Sequence, residues 1–162
     1  MNIGTSLKIK LTIRGSYTDF TIGEDVGVQG TTAYLALYWD GLHIVDVSDP
    51  TNPEKIGEFK PEGYDWSEVI QVRVSGDRVY IIEHVYDVCV DSIKYSKLWV
   101  LDVSDPANPV ELAYYQSPVV MTDLVIEGGL IYVTSRSAGF MVLRFNDPAV
   151  FAHQVYFPVL SK

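Results

Sequence analysis

The sequence predicts an all-β chain of three four-stranded antiparallel units set around an axis, and three observations carry that prediction. Tyr34, Tyr80 and Tyr132 open similar apolar strands 46 and 52 residues apart, and a fixed period in this range marks a repeat architecture. Each unit then has a second apolar run closed by turn residues. These are Leu42-His43-Ile44-Val45-Asp46-Val47-Ser48-Asp49-Pro50, Leu98-Trp99-Val100-Leu101-Asp102-Val103-Ser104-Asp105-Pro106 and Phe140-Met141-Val142-Leu143-Arg144-Phe145-Asn146-Asp147-Pro148. Finally, in the first two units these runs are apolar on both faces. A strand apolar on both sides must be covered on both sides. Face-to-face packing of small sheets around an axis does this, and the arrangement is a β-propeller. A β-sandwich is the rival, but it does not explain the period.

The elements follow in order. The first unit places strands at 25–29, 33–37, 42–47 and 55–59. The second places them at 70–74, 79–83, 98–103 and 110–115. The third places them at 123–127, 130–134, 140–145 and, after a break, 154–159. These runs are rich in Val, Ile, Tyr, Phe and Trp. Gly-Asp, Gly-Gly, Asp-Gly, Asp-Pro and Asn-Pro separate them. No helical period is evident, apart from a possible single turn at 149–153. The blades are expected at about 19–60, 66–117 and 120–162, within a single domain. The second unit carries ten extra residues near 86–97, and such insertions belong in loops.

Residues 7–14 alternate Leu7, Ile9, Leu11, Ile13 with Lys8, Lys10, Thr12, Arg14. One face is apolar and the other polar, which suits an outer strand. The stretch 7–16 is therefore expected to be the outer strand of a preceding blade, or of a closing one. Pro158 in 154–160 likewise suits an edge strand, because proline offers no N–H to a ladder.

Composition bounds the rest. The chain has 162 residues, enough for one domain with a real core. Hydrophobic residues make up 48% and charged residues 20%, which excludes a disordered or collagen-like chain. The formal net charge is −9, which argues against nucleic acid and anionic membrane as partners. No apolar run approaches the ~20 residues that span a bilayer, so no membrane insertion is expected. Cys89 is the one cysteine, which excludes an intrachain disulfide and a cysteine zinc site. No signal sequence is read in residues 1–8.

The runs from Gly41 to Pro53 and from Leu98 to Pro106, with the preceding Ala33-Tyr34-Leu35-Ala36 and Val79-Tyr80-Ile81-Ile82, resemble the LVIVD-repeat family. The resemblance covers roughly residues 20–148. It weakens in the third unit, where Arg144 and Phe145 replace the Asp-Val of the motif. It implies a β-propeller of a secreted or cell-surface bacterial or archaeal protein, so the expected location is extracellular or the cell surface. It implies no enzyme activity and brings no catalytic residues. Three blades are fewer than the four to eight of known propellers. The expectation is therefore either part of a larger propeller or two chains closing a six-bladed ring, with self-association or missing blades.

Candidate chemistry is sparse. Asp46, Asp49, Asp102 and Asp105 form carboxylate pairs that could suit calcium, but they recur at the same place in each unit. That recurrence favours Asp side chains folding turns, so no metal and no cofactor is assigned. Asp25, Gln71 and Asp123 stand five residues before equivalent turn glycines. They are expected as a polar ring on the innermost strands, able to hold a cation or small ligand, or simply hydrated. The insertion, with Tyr86, Asp87, Cys89, Asp91, Tyr95 and Lys97, is expected either as a recognition loop through Tyr86 and Tyr95 or as an extended hairpin. His43 aligns with Trp99 and Met141, a packing position, and the three histidines do not cluster. Tyr34, Tyr80 and Tyr132 read as packing between blades. No catalytic motif is present. The expected function is a non-catalytic module binding a protein or glycan through one rim. The alternative is a fragment of a propeller hydrolase or lyase with its site at the central funnel.

Overall fold

The computed structural model describes residues 11–62, 66–87, 89–90 and 92–145. The first sheet runs in the order β1 (Asp25–Gln29), β2 (Thr32–Ala36), β3 (Leu42–Asp46), β4 (Glu54–Phe59). The second runs β5 (Ser67–Ser75), β6 (Arg78–Asp87), β7 (Ser92–Asp102), β8 (Val110–Ser117). The third comprises β9 (Met121–Glu127), β10 (Leu130–Ser135) and β11 (Gly139–Arg144). All pairings within the sheets are antiparallel, and no helix occurs among the described residues. The all-β, blade-like architecture expected from the repeat is the one observed. The expected strand at 154–159 and the turn at 149–153 lie outside the described residues.

Each sheet begins with the same hairpin. β1 turns into β2 through Gly30-Thr31, β5 into β6 through Gly76-Asp77, and β9 into β10 through Gly128-Gly129. The first residue of each turn has φ near +60°, at 61°, 59° and 58°. Glycine adopts that left-handed backbone without steric cost, which is why it recurs there.

Two apolar seams join the blades. Tyr34, Ala36, Leu42 and Ile44 of the first sheet pack against Val69, Val72, Val79, Ile81, Trp99 and Leu101 of the second. The opposite face of the second sheet, with Tyr80, Ile82, Leu98 and Val100, packs against Met121, Leu124, Ile131 and Val133 of the third. The first strands of successive sheets, β1, β5 and β9, are also neighbours in sequence order. These are the inner strands of radially arranged blades. Side chains of β1 tie blade to blade as well. The Asp25 carboxylate accepts the Val72 N–H at 3.0 Å. The Gln29 amide donates to the Gly76 carbonyl at 2.9 Å and accepts its N–H at 3.1 Å.

Two expectations are refined. The insertion does not form a separate loop: β6 and β7 take it up as a lengthened hairpin of 10 and 11 residues, pairing as far as Asp87 with Ser92. Its alternation satisfied a ladder, so the residues joined one. The other concerns 7–16. Residues 7–10 lie outside the described residues, and 11–16 form no strand. The physical reason is that a strand exists only by pairing, and among the described residues no strand lies beside this stretch. Its apolar residues Leu11 and Ile13 stand exposed in consequence.

Candidate functional site

Three connections meet at one rim of the first two blades. They are the β2–β3 turn (37–41), the residues entering β5, and the β6–β7 hairpin. Backbone bonds hold them together. The Tyr38 N–H donates to Val69 O at 3.1 Å and Val69 N–H to Tyr38 O at 2.9 Å. The Tyr86 N–H donates to Trp66 O at 3.0 Å. Tyr38 has φ of 55°, a left-handed conformation that costs a non-glycine residue energy. The bridge to Val69 and the tight turn back into β3 hold it there.

This backbone presents aromatic side chains. Trp39 lies 4.9 Å from Tyr38, ring centroid to centroid, and is 47% exposed; Trp66 is 56% exposed. Large exposed tryptophans are unusual in a folded chain, and here two stand on connected segments of one rim. Half-buried Tyr86 donates from its hydroxyl to the buried Glu68 carboxylate at 2.6 Å. Burial, and then Glu68, push its phenol far above the usual range, so it remains a donor. Asp40 accepts the Thr21 N–H at 2.8 Å, which ties the chain before β1 to the same turn.

Beneath the rim, the fully buried Glu83 accepts a bond from Trp99 Nε1 at 2.8 Å, while its other oxygen has no partner. Desolvation raises its pKa, against the opposing hydrogen bonds from Trp99 and Ser67. Lys97 lies over the Trp99 and Tyr114 rings, at 4.7 and 4.9 Å. His84 Nε2 donates to the Met121 carbonyl at 2.8 Å, and desolvation holds its pKa below the usual imidazole value. His43 is buried, as a packing residue should be, and bonds the Tyr17 hydroxyl at 2.8 Å.

The structure brings together two of the three expected ring residues, and adds a residue that changes their chemistry. Arg73 pairs with Asp25 through one guanidinium nitrogen and with Asp123 through the other, the latter at 2.7 Å. One guanidinium thus stitches the inner strands of all three blades. Each carboxylate gives an oxygen to this bridge, which places the Arg73 guanidinium between them. Gln71 does not join it, and its Oε1 is buried without a partner. Arg73 was missed because it stands on β5 alone: Gly27 and Val125 fill its place in the other units. Of the insertion residues, Tyr86 belongs to the rim, while half-buried Tyr95 pairs opposite Val85 within the hairpin. Trp39 and Trp66 were also missed. The available signal was an apolar ring placed in each of two connecting segments rather than in a strand.

The Asp pairs make turns. Asp46 accepts Ser48 N–H, and Asp102 accepts Ser104 N–H, both at 2.8 Å. Asp49 accepts the Thr51 N–H and hydroxyl at 2.8 and 2.6 Å. Asp105 accepts Ala107 N–H at 3.1 Å and the Asn108 amide at 2.8 Å. Among the described residues, no group of three His, Cys, Asp or Glu side chains is placed to hold a metal ion.

Antiparallel blades, interblade tyrosines and Asp-Pro turns define a β-propeller repeat protein. The LVIVD repeat family model matches residues 22–60 and 93–117, so these two segments are similar to LVIVD repeats. The matches cover all of the first blade and the last two strands of the second. No curated protein matches the chain.

Proposed function

We propose that this chain is a non-catalytic propeller module of a secreted or cell-surface protein, and that it binds a protein partner through the aromatic rim. The single observation that carries the reading is the pair of exposed tryptophans, Trp39 and Trp66, on backbone segments locked together by the Tyr38–Val69 bridge. Tryptophan and tyrosine on a rigid frame bury much apolar area for little entropy, which is what the energetic centre of an interface needs. The inward-facing titratable groups support a scaffold role: His43, His84 and Glu83 each bond to the frame. The location rests on the LVIVD repeat.

A photoreactive residue in place of Trp39, with an equivalent probe at exposed Val110 on β8 as control, tests this in the source cells. A protein adduct formed at position 39, absent at 110 and lost on Trp66→Ala, supports the reading. A carbohydrate adduct in its place would reassign the partner to a glycan. Equal labelling at both positions would overturn the rim as the site.

A further inference from the structure

The first and third blades end the described propeller unequally. The third blade has three strands, and among the described residues β11 has β10 as its one neighbour. Its outward face carries exposed Phe140 and Val142 with half-buried Tyr132. At the other end, Val26 and Val28 on β1 are exposed. The equivalents of Val26, Val72 and Leu124, are buried by the preceding blade, and those of Val28, Val74 and Ile126, are half-buried.

The chain before β1 explains what is waiting there. A Cβ on Gly57 of β4 would overlap the Pro106 carbonyl oxygen in the Asp-Pro turn of the second blade. A Cβ on Gly15 would overlap the Pro50 carbonyl oxygen in the same turn of the first blade. Two residues after each glycine stands an aromatic ring. Phe59 meets Trp99 edge-on at 5.8 Å, and Tyr17 meets His43 edge-on at 6.0 Å. His43 and Trp99 occupy equivalent positions. Residues 13–17 therefore sit against the first blade as 55–59 sit against the second. They hold the place of the outer strand of a preceding blade whose other three strands are not among the described residues.

We propose that a second copy of this chain provides them. Its β9, β10 and β11 lie beside residues 13–17, which become their fourth strand. The exchange is mutual under a two-fold axis, so two chains close a ring of six complete blades. A ring of three blades lies below the four to eight that propellers use, and six lies within it. Strand addition to an open edge supplies the backbone bonds, and the Phe140–Val142 face meets the partner's Val26 and Val28. The β3–β4 register pairs Phe59 with Leu42, Glu58 with His43 and Gly57 with Ile44. Carried across the repeat, it sets Tyr17 opposite Phe140, Ser16 opposite Met141 and Gly15 opposite Val142 of the second copy.

The test uses the full chain with Cys89→Ser, carrying Ser16→Cys and Met141→Cys singly or together, and treated with a short bis-maleimide. The double variant should give a covalent dimer of about twice 18.1 kDa. Mixing the two single variants should give the same product, and neither alone should give it. Phe140→Asp, a change at an exposed position, should leave melting cooperative and convert the dimer to monomer in sedimentation. A monomer at high concentration, a link within one chain, or a dimer from either single variant alone would overturn the proposal. The first of these is the outcome expected if residues 154–159 of the same chain occupy the β11 edge.

Discussion

The forward faces of the second and third blades carry equivalent residues in opposite surroundings. On the second, Leu98 is 1% and Val100 4% exposed; on the third, their counterparts Phe140 and Val142 are 62% and 50% exposed. Tyr80 is buried and Tyr132, its equivalent, is half-buried and stacks on Phe140 at 6.0 Å. The side chains are of the same kind. What differs is whether another sheet follows among the described residues. The hydrophobic contribution of a repeat therefore belongs to the seam between two repeats, not to either one, as expected of a quasi-one-dimensional assembly.

The strongest way to break this comparison is to truncate equivalent positions. Leu98→Ala should destabilise the chain by about 2–5 kcal/mol, the usual cost of a cavity in a closed core. Phe140→Ala should cost under about 1 kcal/mol when measured in urea at a concentration where the chain is monomeric, because its side chain is already largely in water. Equal losses at the two positions would mean that the third blade's forward face is covered in the monomer.

A second comparison sets Gly57 against Gly15. Both approach an Asp-Pro turn too closely for a Cβ. Gly57 is held in the β3–β4 ladder, opposite Ile44, so Gly57→Ala should destabilise by about 1–3 kcal/mol, as overpacking does. Residues 11–16 have no ladder to hold them. Gly15→Ala should be relieved by a shift of that segment, with a smaller loss of stability on thermal melting. If Gly15→Ala costs as much as Gly57→Ala, the segment is anchored by more than the Tyr17–His43 contact.

These contrasts also explain what the sequence made legible. The strands were legible because alternation, turn glycines and Asp-Pro turns are local signals that repeat. Tyr34 and Tyr80 as seam residues followed from their recurrence, and both are buried in seams. The turn role of Asp49 and Asp105 followed from their recurrence at the same place in each unit, and the turn bonds are found to Thr51 and Ala107. The Arg73 bridge was not legible, because it joins residues 48 and 50 positions away through a single non-repeating side chain. Nor was the rim: Trp39 and Trp66 stand on segments far apart in sequence that the Tyr38–Val69 bridge joins. Residues 11–16, which form no strand among the described residues, are a related case. Their alternation reports a strand's pattern, while a strand's existence depends on a neighbour.

Two buried groups in the second blade should titrate against each other. Burial raises the Glu83 pKa, so its stabilising contribution is complete below the unfolded value of 4.5 and is lost as pH rises through the folded value. Burial lowers the His84 pKa, so its contribution is complete above the unfolded 6.5 and is lost as pH falls through the folded value. Glu83→Gln keeps an oxygen for Trp99 Nε1 and removes the charge. It should raise stability at pH 8 by on the order of 1 kcal/mol relative to pH 4. Urea melts of both proteins at the two pH values check this. A loss of stability at pH 8 would show that Glu83 is held as a needed carboxylate, with Lys97 as its counter-charge.

The smallest effect is expected at the exposed turns, where the first two blades are alike. Asp49 and Asp105 each accept two bonds from the residues just ahead. The side-chain and backbone bonds from Thr51 hold the Asp49 pKa below its usual value. Its contribution is therefore present above the unfolded 3.8 and is lost as pH falls through the lowered folded value. Asp49→Ala and Asp105→Ala should each lower Tm slightly at pH 7, because water replaces exposed bonds readily. The Asp49 difference from the parent chain should vanish under strongly acidic conditions. The turns also pack on neighbours: Pro106 against Gly57 of the blade before, and Pro50 against Gly15. If Asp105→Ala costs clearly more than Asp49→Ala, the difference measures what a complete preceding blade adds to one turn.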